Sequence, residues 1–438
     1  MSSPNPDSNQ PASKDLLASF RQAYKNLEIL PLLKQEDLDN FRVNYGTEAL
    51  EKLEQQVEDS PSGNSKIVFA GHRGCGKSTL LAAFSRQMRD RYFVVFFSIS
   101  DMIEMSDVNH INILFAIAVR LMQEAEIRKV KIKESVKNSF YEWFATRTQI
   151  KTQDLVTEGS IGFKLFELIA GKLKAESKTR DEIKQEFSRN ISELVGKINE
   201  IAAIIQNAIG LEILVVIDDL DKLDLTVARE VYHNNIKALF QPNFRIILTV
   251  PIAALREVSL AASIETEANN RVIQMPVSKL FHKGERRQPD AKPLSEAFTT
   301  LKDVLSHRIS SQLIEQNATE QIVLYSGGVL REVIRIANEC CRICLILVRR
   351  NPQNTDLKIN DAVIKEAFDN LRIDFDSRLG KADYVTLETT YKDFKPEDPS
   401  GQRFLDLLHG LYILEYRNSQ LWYDVHPIVT ELIAKNGE

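Results

Sequence analysis

Gly71-His-Arg-Gly-Cys-Gly-Lys-Ser-Thr79 decides the fold of this chain. It has the spacing G-x-x-x-x-G-K-[ST] of a phosphate-binding loop. The apolar run Ile67-Val-Phe-Ala70 before it suits a buried strand, and Leu80, Leu81, Phe84 and Met88 after it share one face of a helix. Glycines let the backbone curl so that its N–H groups face phosphate oxygens, and the helix N-terminus adds positive potential. The residues expected to cradle the phosphates are Gly71, Arg73, Gly74, Cys75, Gly76, Lys77, Ser78 and Thr79. Lys77 would reach the β- and γ-phosphates, and the Ser78 hydroxyl would ligate Mg²⁺. A chance lysine in a glycine-rich turn is the rival reading, and the strand–loop–helix context argues against it.

A second stretch, Leu211-Glu-Ile-Leu-Val-Val-Ile-Asp-Asp-Leu-Asp221, is an apolar strand that ends in carboxylates. Mg²⁺ prefers oxygen ligands and retains waters, so one carboxylate at a strand end can hold it through water, a role that falls to Asp218. Asp219 is placed to orient or deprotonate an attacking water. Asp221 and Asp224 read as solvated or capping residues.

The chain has 438 residues, enough for a large core and two or three domains. With 43% hydrophobic and 27% charged residues it has the composition of an ordinary soluble protein. A net charge of −5 argues against a surface coated by nucleic acid, though not against a local basic patch. No long uncharged apolar run suggests a membrane span. Residues 1–14 lack the apolar core of a signal peptide and read as a disordered leader. The four cysteines fit a reducing cytoplasm, and Cys340, Cys341 and Cys344 fall in an apolar helical pattern that suits burial better than metal binding.

Further along, Thr47 to Val57 reads as helix and Tyr92 to Ser98 as a buried strand whose end, Ser98-Ile-Ser-Asp101, opens toward the ligand side of an α/β sheet. Lys77 and Asp218 stand 141 positions apart, so a helical insertion is expected at about 130–208. Within it Thr179-Arg-Asp-Glu182 fits a capping box opening one long helix through Ile183, Phe187, Ile191, Leu194 and Ile198. Gly162 to Gly171 is amphipathic; packing inside the insertion is favoured over a membrane or partner contact. Arg245-Ile-Ile-Leu-Thr-Val-Pro251 is another core strand, and Thr249 at its tip suits either a γ-phosphate sensor or a hydroxyl bonded to backbone. Arg271 to Val277 is a further strand. Ser326-Gly-Gly328 breaks the helices of 294–348, and the C-terminal end carries a hairpin signal about Arg417-Asn-Ser-Gln420.

With these residues in hand, the chain resembles bacterial P-loop ATPases of the additional-strand class, near the AAA-type, origin-recognition, KAP and STAND groups. The resemblance rests on GHRGCGKST, LVVIDDLDKLD, RIILTVP and SGGVLREVIR, and covers roughly residues 45–346 outside the insertion. It implies an α/β fold: a P-loop NTPase three-layer α/β/α core over 15–281, a helical lid over 282–348 and a winged-helix domain over 357–438. It implies ATP and Mg²⁺ as ligands. Arg331, after the Ser-Gly-Gly break, matches an arginine that touches the γ-phosphate. Arg271, before the final core strand, is the candidate for reaching a neighbouring subunit's nucleotide. Related ATPases often carry Glu where this chain has Asp219, one methylene shorter, so slow hydrolysis is expected.

The resemblance implies an ATP-hydrolysing switch whose nucleotide state controls lid closure, homo-oligomerisation or binding of a protein partner, in a cytoplasmic defence or signalling setting. The alternative is a DNA-acting ATPase like origin-recognition or transposition regulators. The helix before the C-terminal hairpin offers Arg403 alongside Asp406 and His409, few cations for a DNA-reading helix. If DNA binds, Lys283 to Arg287 or Arg349-Arg350 are the expected contacts. Tyr412, Tyr416, Trp422 and Tyr423 suit packing.

Overall fold

The computed structural model describes residues 10–60, 63–150, 161–417 and 420–436. Helices α1 (Gln10–Asn26), α2 (Gln35–Phe41) and α3 (Thr47–Glu58) precede strand β1 (Lys66–Gly71). Helix α1 starts inside the stretch expected to be a disordered leader, while residues 1–9 of that stretch lie outside the described residues. Pro11 is tolerated there because a first-turn N–H has no helical acceptor to lose. Helix α4 (Lys77–Gln87) and strand β2 (Tyr92–Ser98) follow, then α5 (His110–Ile127), α6 (Glu134–Arg147), α7 (Ile161–Ala175), α8 (Ser177–Phe187) and α9 (Ile191–Ile209). Next come β3 (Glu212–Asp218), α10 (Leu225–Arg229), α11 (Ile236–Leu239), β4 (Arg245–Pro251), α12 (Val258–Glu267) and β5 (Val272–Met275). The remainder comprises α13 (Ser295–Ser306), α14 (Gln316–Tyr325), α15 (Leu330–Arg350), α16 (Asp361–Asp376), α17 (Lys381–Asp393), α18 (Gln402–His409), β6 (Ile413–Arg417), β7 (Leu421–Val425) and α19 (Pro427–Asn436).

The chain forms two compact units. The sheet unit, residues 48–71 and 80–274, is built on five strands in the order β2-β3-β4-β1-β5. β2 runs parallel to β3, β3 to β4 and β4 to β1. β1 and β4 are buried along their whole length, which is why they appear in the sequence as unbroken apolar runs without polar alternation. This is a parallel sheet with surrounding helices, the α/β core that the sequence predicts. Register places Ser98 beside Asp218, so the C-terminal ends of β2 and β3 meet.

Helices α7, α8 and α9 pack on α5. Leu165, Phe166, Ile169 and Leu173 of α7 are fully buried, so its apolar face is spent on internal packing. The expected capping box at Thr179 does not form. Helix α8 starts earlier, at Ser177, and the Thr179 hydroxyl donates to Glu176 instead. The one long helix expected there is two, because Asn190 leaves helical geometry (φ −142°) as the residue before α9. No helix among the described residues is long and apolar enough to cross a membrane.

The second unit holds residues 1–47, 72–79 and 275–438, and is named the lid unit because it takes in the stretch 282–348 expected as a lid, together with 357–438. Its centre is α15, which packs against α1, α13, α14 and α16. Cys340, Cys341 and Cys344 lie in that packing as free, buried thiols, and burial pushes Cys341 up to about 12. Ser326-Gly-Gly328 turns the chain from α14 into α15. Gly327 and Gly328 have φ of 62° and 87°, and a Cβ at Gly328 would collide with the Ser278 carbonyl oxygen. β6 and β7 pair antiparallel with Tyr416 opposite Trp422, their rings stacked 4.4 Å apart. Two residues of the expected hairpin turn, 418 and 419, lie outside the described residues.

Candidate functional site

Residues 72–79 of the phosphate-loop pattern belong to the lid unit. Gly74 and Gly76 adopt φ of 80° and 95°, left-handed backbone that only glycine takes without strain. Space imposes the same choice. A Cβ at Gly74 would collide with the Arg331 side chain, and one at Gly76 would come within 2.9 Å of Leu330 Cδ1. The Arg331 N–H donates to the Gly74 carbonyl at 3.0 Å. The first two residues of α15 therefore rest directly on the loop. The Arg331 stem lies along Gly74, and its guanidinium makes no hydrogen bond or ion pair among the described residues.

Lys77 is 4% exposed, and its ammonium turns back to donate to the His72 carbonyl at 2.7 Å, with Cys75 Sγ at 3.8 Å. The His72 ring is also fixed: its Nε2 accepts the Glu415 backbone N–H at 2.8 Å. Thr79 Oγ1 accepts the Leu32 N–H at 3.1 Å, and Tyr45 packs beside Gly76. Gly71 and Cys75 are buried, while Arg73 and Ser78 are half-buried. This loop has the glycine geometry and the lysine that a polyphosphate needs.

The carboxylates lie in the sheet unit. Asp218, Asp219 and Asp221 are buried, and each offers an oxygen within 4.8 Å of the others. An all-oxygen anionic set of this kind fits a hard divalent cation such as Mg²⁺. Asp221 is thus not the solvated residue that its sequence position suggests. Asp224 is a cap, accepting from the N–H groups of Thr226 and Val227 at 2.8 and 2.9 Å.

Asp219 has φ 70°, and both oxygens of its carboxylate are bonded. Lys222 Nζ lies 2.6 Å from Oδ1, and the hydroxyls of Ser98 and Ser100 donate to Oδ2 at 2.7 and 2.8 Å. Burial pushes this carboxyl up, but the hydrogen bonds from Lys222 and Ser98, the Lys222 charge and the Ser100 hydroxyl outweigh it and hold the group below the usual carboxylate range. It is ionised at neutral pH, and these partners compete with any water that it would orient or deprotonate. Thr249 is fully buried, and its Oγ1 accepts the Asp221 N–H at 3.3 Å, the backbone-bonded alternative for this residue.

Arg271 stands just before β5, with its carbonyl accepting the Val68 N–H at 2.9 Å. Its half-buried guanidinium makes no hydrogen bond or ion pair among the described residues. The basic segment proposed for DNA is tied down within the lid unit. Arg287 pairs with Asp424 at 2.9 Å and stacks on Tyr391 and Phe394, Arg286 lies over Tyr325, and Lys283 lies over Phe394. Arg403 pairs with Asp383 at 3.0 Å. Arg349 and Arg350 are exposed at the end of α15.

Motif spacing alone misses Lys222, His72, Glu415 and Leu32, whereas Ser98 and Ser100 lie in the strand end expected to open toward the ligand. Lys222 had a local signal, three residues beyond Asp219. His72 and Glu415 had none, since their contact depends on tertiary structure.

The family model described as the KAP family P-loop domain matches residues 49–279. No curated protein matches the sequence. Among solved structures, the chain is similar to the ORC2 protein of Aeropyrum pernix (ADPNP-ADP complexes) at 10% identity and TM-score 0.43, covering 95% of this chain and 99% of that one. It is similar to Cdc6p of Pyrobaculum aerophilum at 12% identity and TM-score 0.39, with 90% and 95% covered. The RuvB Holliday junction branch migration motor of Thermotoga maritima matches at 12% identity and TM-score 0.38, with 93% and 99% covered. Likenesses this low carry no functional argument.

Proposed function

We propose that this chain, which belongs to the KAP family of P-loop NTPases, binds ATP at Gly71 to Thr79 and hydrolyses it slowly, as a switch whose nucleotide state is passed to the lid helices. The observation that carries this reading is the seat of α15 on the loop: the Arg331 N–H on the Gly74 carbonyl, with no room for a Cβ between them. Whatever the loop holds acts on the first turn of α15. The Arg331 guanidinium, unbonded among the described residues, supplies a group that a γ-phosphate would attract and a diphosphate would not. A switch needs such differential contact, because a ligand shifts an equilibrium only by its preference for one state.

Lys77 would exchange the His72 carbonyl for phosphate oxygens, a stronger anionic acceptor. Asp218, in the buried carboxylate set at the end of β3, would hold Mg²⁺, which supplies charge neutralisation on the transferred phosphoryl group. Asp219 would act on the attacking water in exchange with, or beside, Ser98, Ser100 and Lys222. That competition is the physical reason to expect slow turnover, and it adds to the effect of the shorter side chain. Arg271, with no hydrogen bond or ion pair among the described residues, suits contact with a second copy.

The DNA-acting alternative loses Arg287 to internal pairing, while Arg349 and Arg350 remain exposed for it. A steep fall of DNA affinity with salt would revive it.

Light-scattering sizing with no nucleotide, ADP and a non-hydrolysable ATP analogue tests the switch. The expected result is assembly with the ATP analogue only, lost in Lys77→Ala and in Arg271→Ala. A monomer under all three conditions, with ATP turnover intact, would remove assembly from the reading.

A further inference from the structure

We propose that His72 is a positioning residue through which the C-terminal hairpin β6–β7 and the phosphate-binding Lys77 set each other's state. The inference rests on the reading of Gly71 to Thr79 as an ATP site. Bonds to both the ring and the backbone converge on this one residue. Its imidazole Nε2 accepts the Glu415 backbone N–H at 2.8 Å, and its carbonyl accepts the Lys77 ammonium at 2.7 Å and the Cys75 N–H at 3.3 Å. His72 and Glu415 are 2% and 3% exposed, so no water competes for the contact.

The donor on the hairpin is the backbone amide of Glu415, a residue that stands opposite Tyr423 in the β6–β7 register, so it moves only when the strand moves. The strand is held to the lid in turn: the Tyr416 hydroxyl donates to the Gly327 carbonyl at 2.7 Å, and Leu414 and Pro427 pack against Gly327. Phosphate in the loop draws Lys77 off the His72 carbonyl, since a charged acceptor outcompetes a peptide oxygen. The His72 carbonyl then keeps only the weaker of these two bonds, from the Cys75 N–H, and the ring on the same residue carries the change to β6. In reverse, a hairpin lifted from the loop releases His72 and with it Lys77. The rival account is a buried histidine that merely pins two segments together, and it predicts no response of the hairpin to nucleotide.

Trp422 is a reporter already in place. It lies on β7, 3% exposed, stacked on Tyr416, with an indole N–H that has no hydrogen-bond partner among the described residues. It lines a cavity of about 20 Å³, room for one water, so a small shift of the hairpin changes its surroundings. The chain has two tryptophans, and Trp143→Phe leaves Trp422 alone.

The experiment records Trp422 emission in Trp143→Phe protein without nucleotide, with MgADP and with a non-hydrolysable ATP analogue. Each variant is saturated according to separately measured binding of a fluorescent nucleotide. The expected result is an emission shift with the ATP analogue, lost in His72→Phe and retained in His72→Gln, whose amide oxygen can still accept the Glu415 N–H. Far-UV circular dichroism checks that both variants are folded. Nucleotide bound with Trp422 silent overturns this proposal and leaves the ATP site standing, and this arm needs no variant. An unchanged shift in saturated His72→Phe overturns it also. No nucleotide binding at all overturns both.

Discussion

Glu332, in the first turn of α15, is a wholly buried carboxylate beside the loop-contacting Arg331. Arg335 Nη2 lies 2.6 Å from it and His426 Nε2 3.4 Å. The His426 Nδ1 accepts the Ile428 N–H at 3.2 Å, which leaves the ring proton on Nε2, facing Glu332. Burial pushes the Glu332 carboxyl up, but the His426 hydrogen bond and the Arg335 charge outweigh it and bring it down to about 2. The folded protein thus holds this proton more weakly than the unfolded chain, whose ordinary value is 4.5. The sign follows: the stabilisation is complete above about pH 4.5 and disappears as pH falls through about 2. Glu332→Gln should cost roughly 3 kcal/mol at pH 7, the order expected when one partner of a buried charge pair is removed. The cost should shrink steadily below pH 4.5. Urea unfolding of both proteins at pH 7 and pH 3 checks it. An equal cost at both would mean that Glu332 is not charged in the fold.

Among the elements, α7 offers the sharpest contrast between two faces. Phe166 is fully buried, edge-on to Tyr141 at 5.9 Å and Phe144 at 5.2 Å, while Leu168, two residues on, is 49% exposed. Phe166→Ala should destabilise by roughly 3–5 kcal/mol and Leu168→Ala by no more than about 0.5 kcal/mol. Denaturant titration of both variants decides; the reverse order would show that the exposed face carries the contacts. The pattern of α7 was legible because apolar spacing is local, as were β1, β3 and β4, whose two buried faces leave unbroken apolar runs. The break between α8 and α9 was not legible, because the apolar stripe runs across it and only the backbone at Asn190 departs. The candidate site divides in the same way. Lys77 and Asp218 sit in contiguous patterns, whereas the grip of Ser98 and Ser100 on Asp219 and the His72–Glu415 bond join positions far apart in the chain.

At the scale of the whole molecule, the division into two units has a consequence for ligand binding. The loop residues 72–79 group with 275–438, although the strand before them and most of the helix after them belong to the sheet unit. A nucleotide gripped by Lys77 and the loop amides therefore binds groups of the lid unit. Two units with separate cores should give a calorimetric transition that departs from two-state behaviour. Binding to the native form stabilises by mass action, about 2.7 kcal/mol at a hundredfold excess over Kd. Scanning calorimetry with MgATP should then move the lid unit's component of the transition upward, and Lys77→Ala should abolish the movement. Persistence of the shift in Lys77→Ala would place the nucleotide elsewhere. An unmoved transition at saturating MgATP would mean that the loop, for all its glycine geometry, does not hold the ligand.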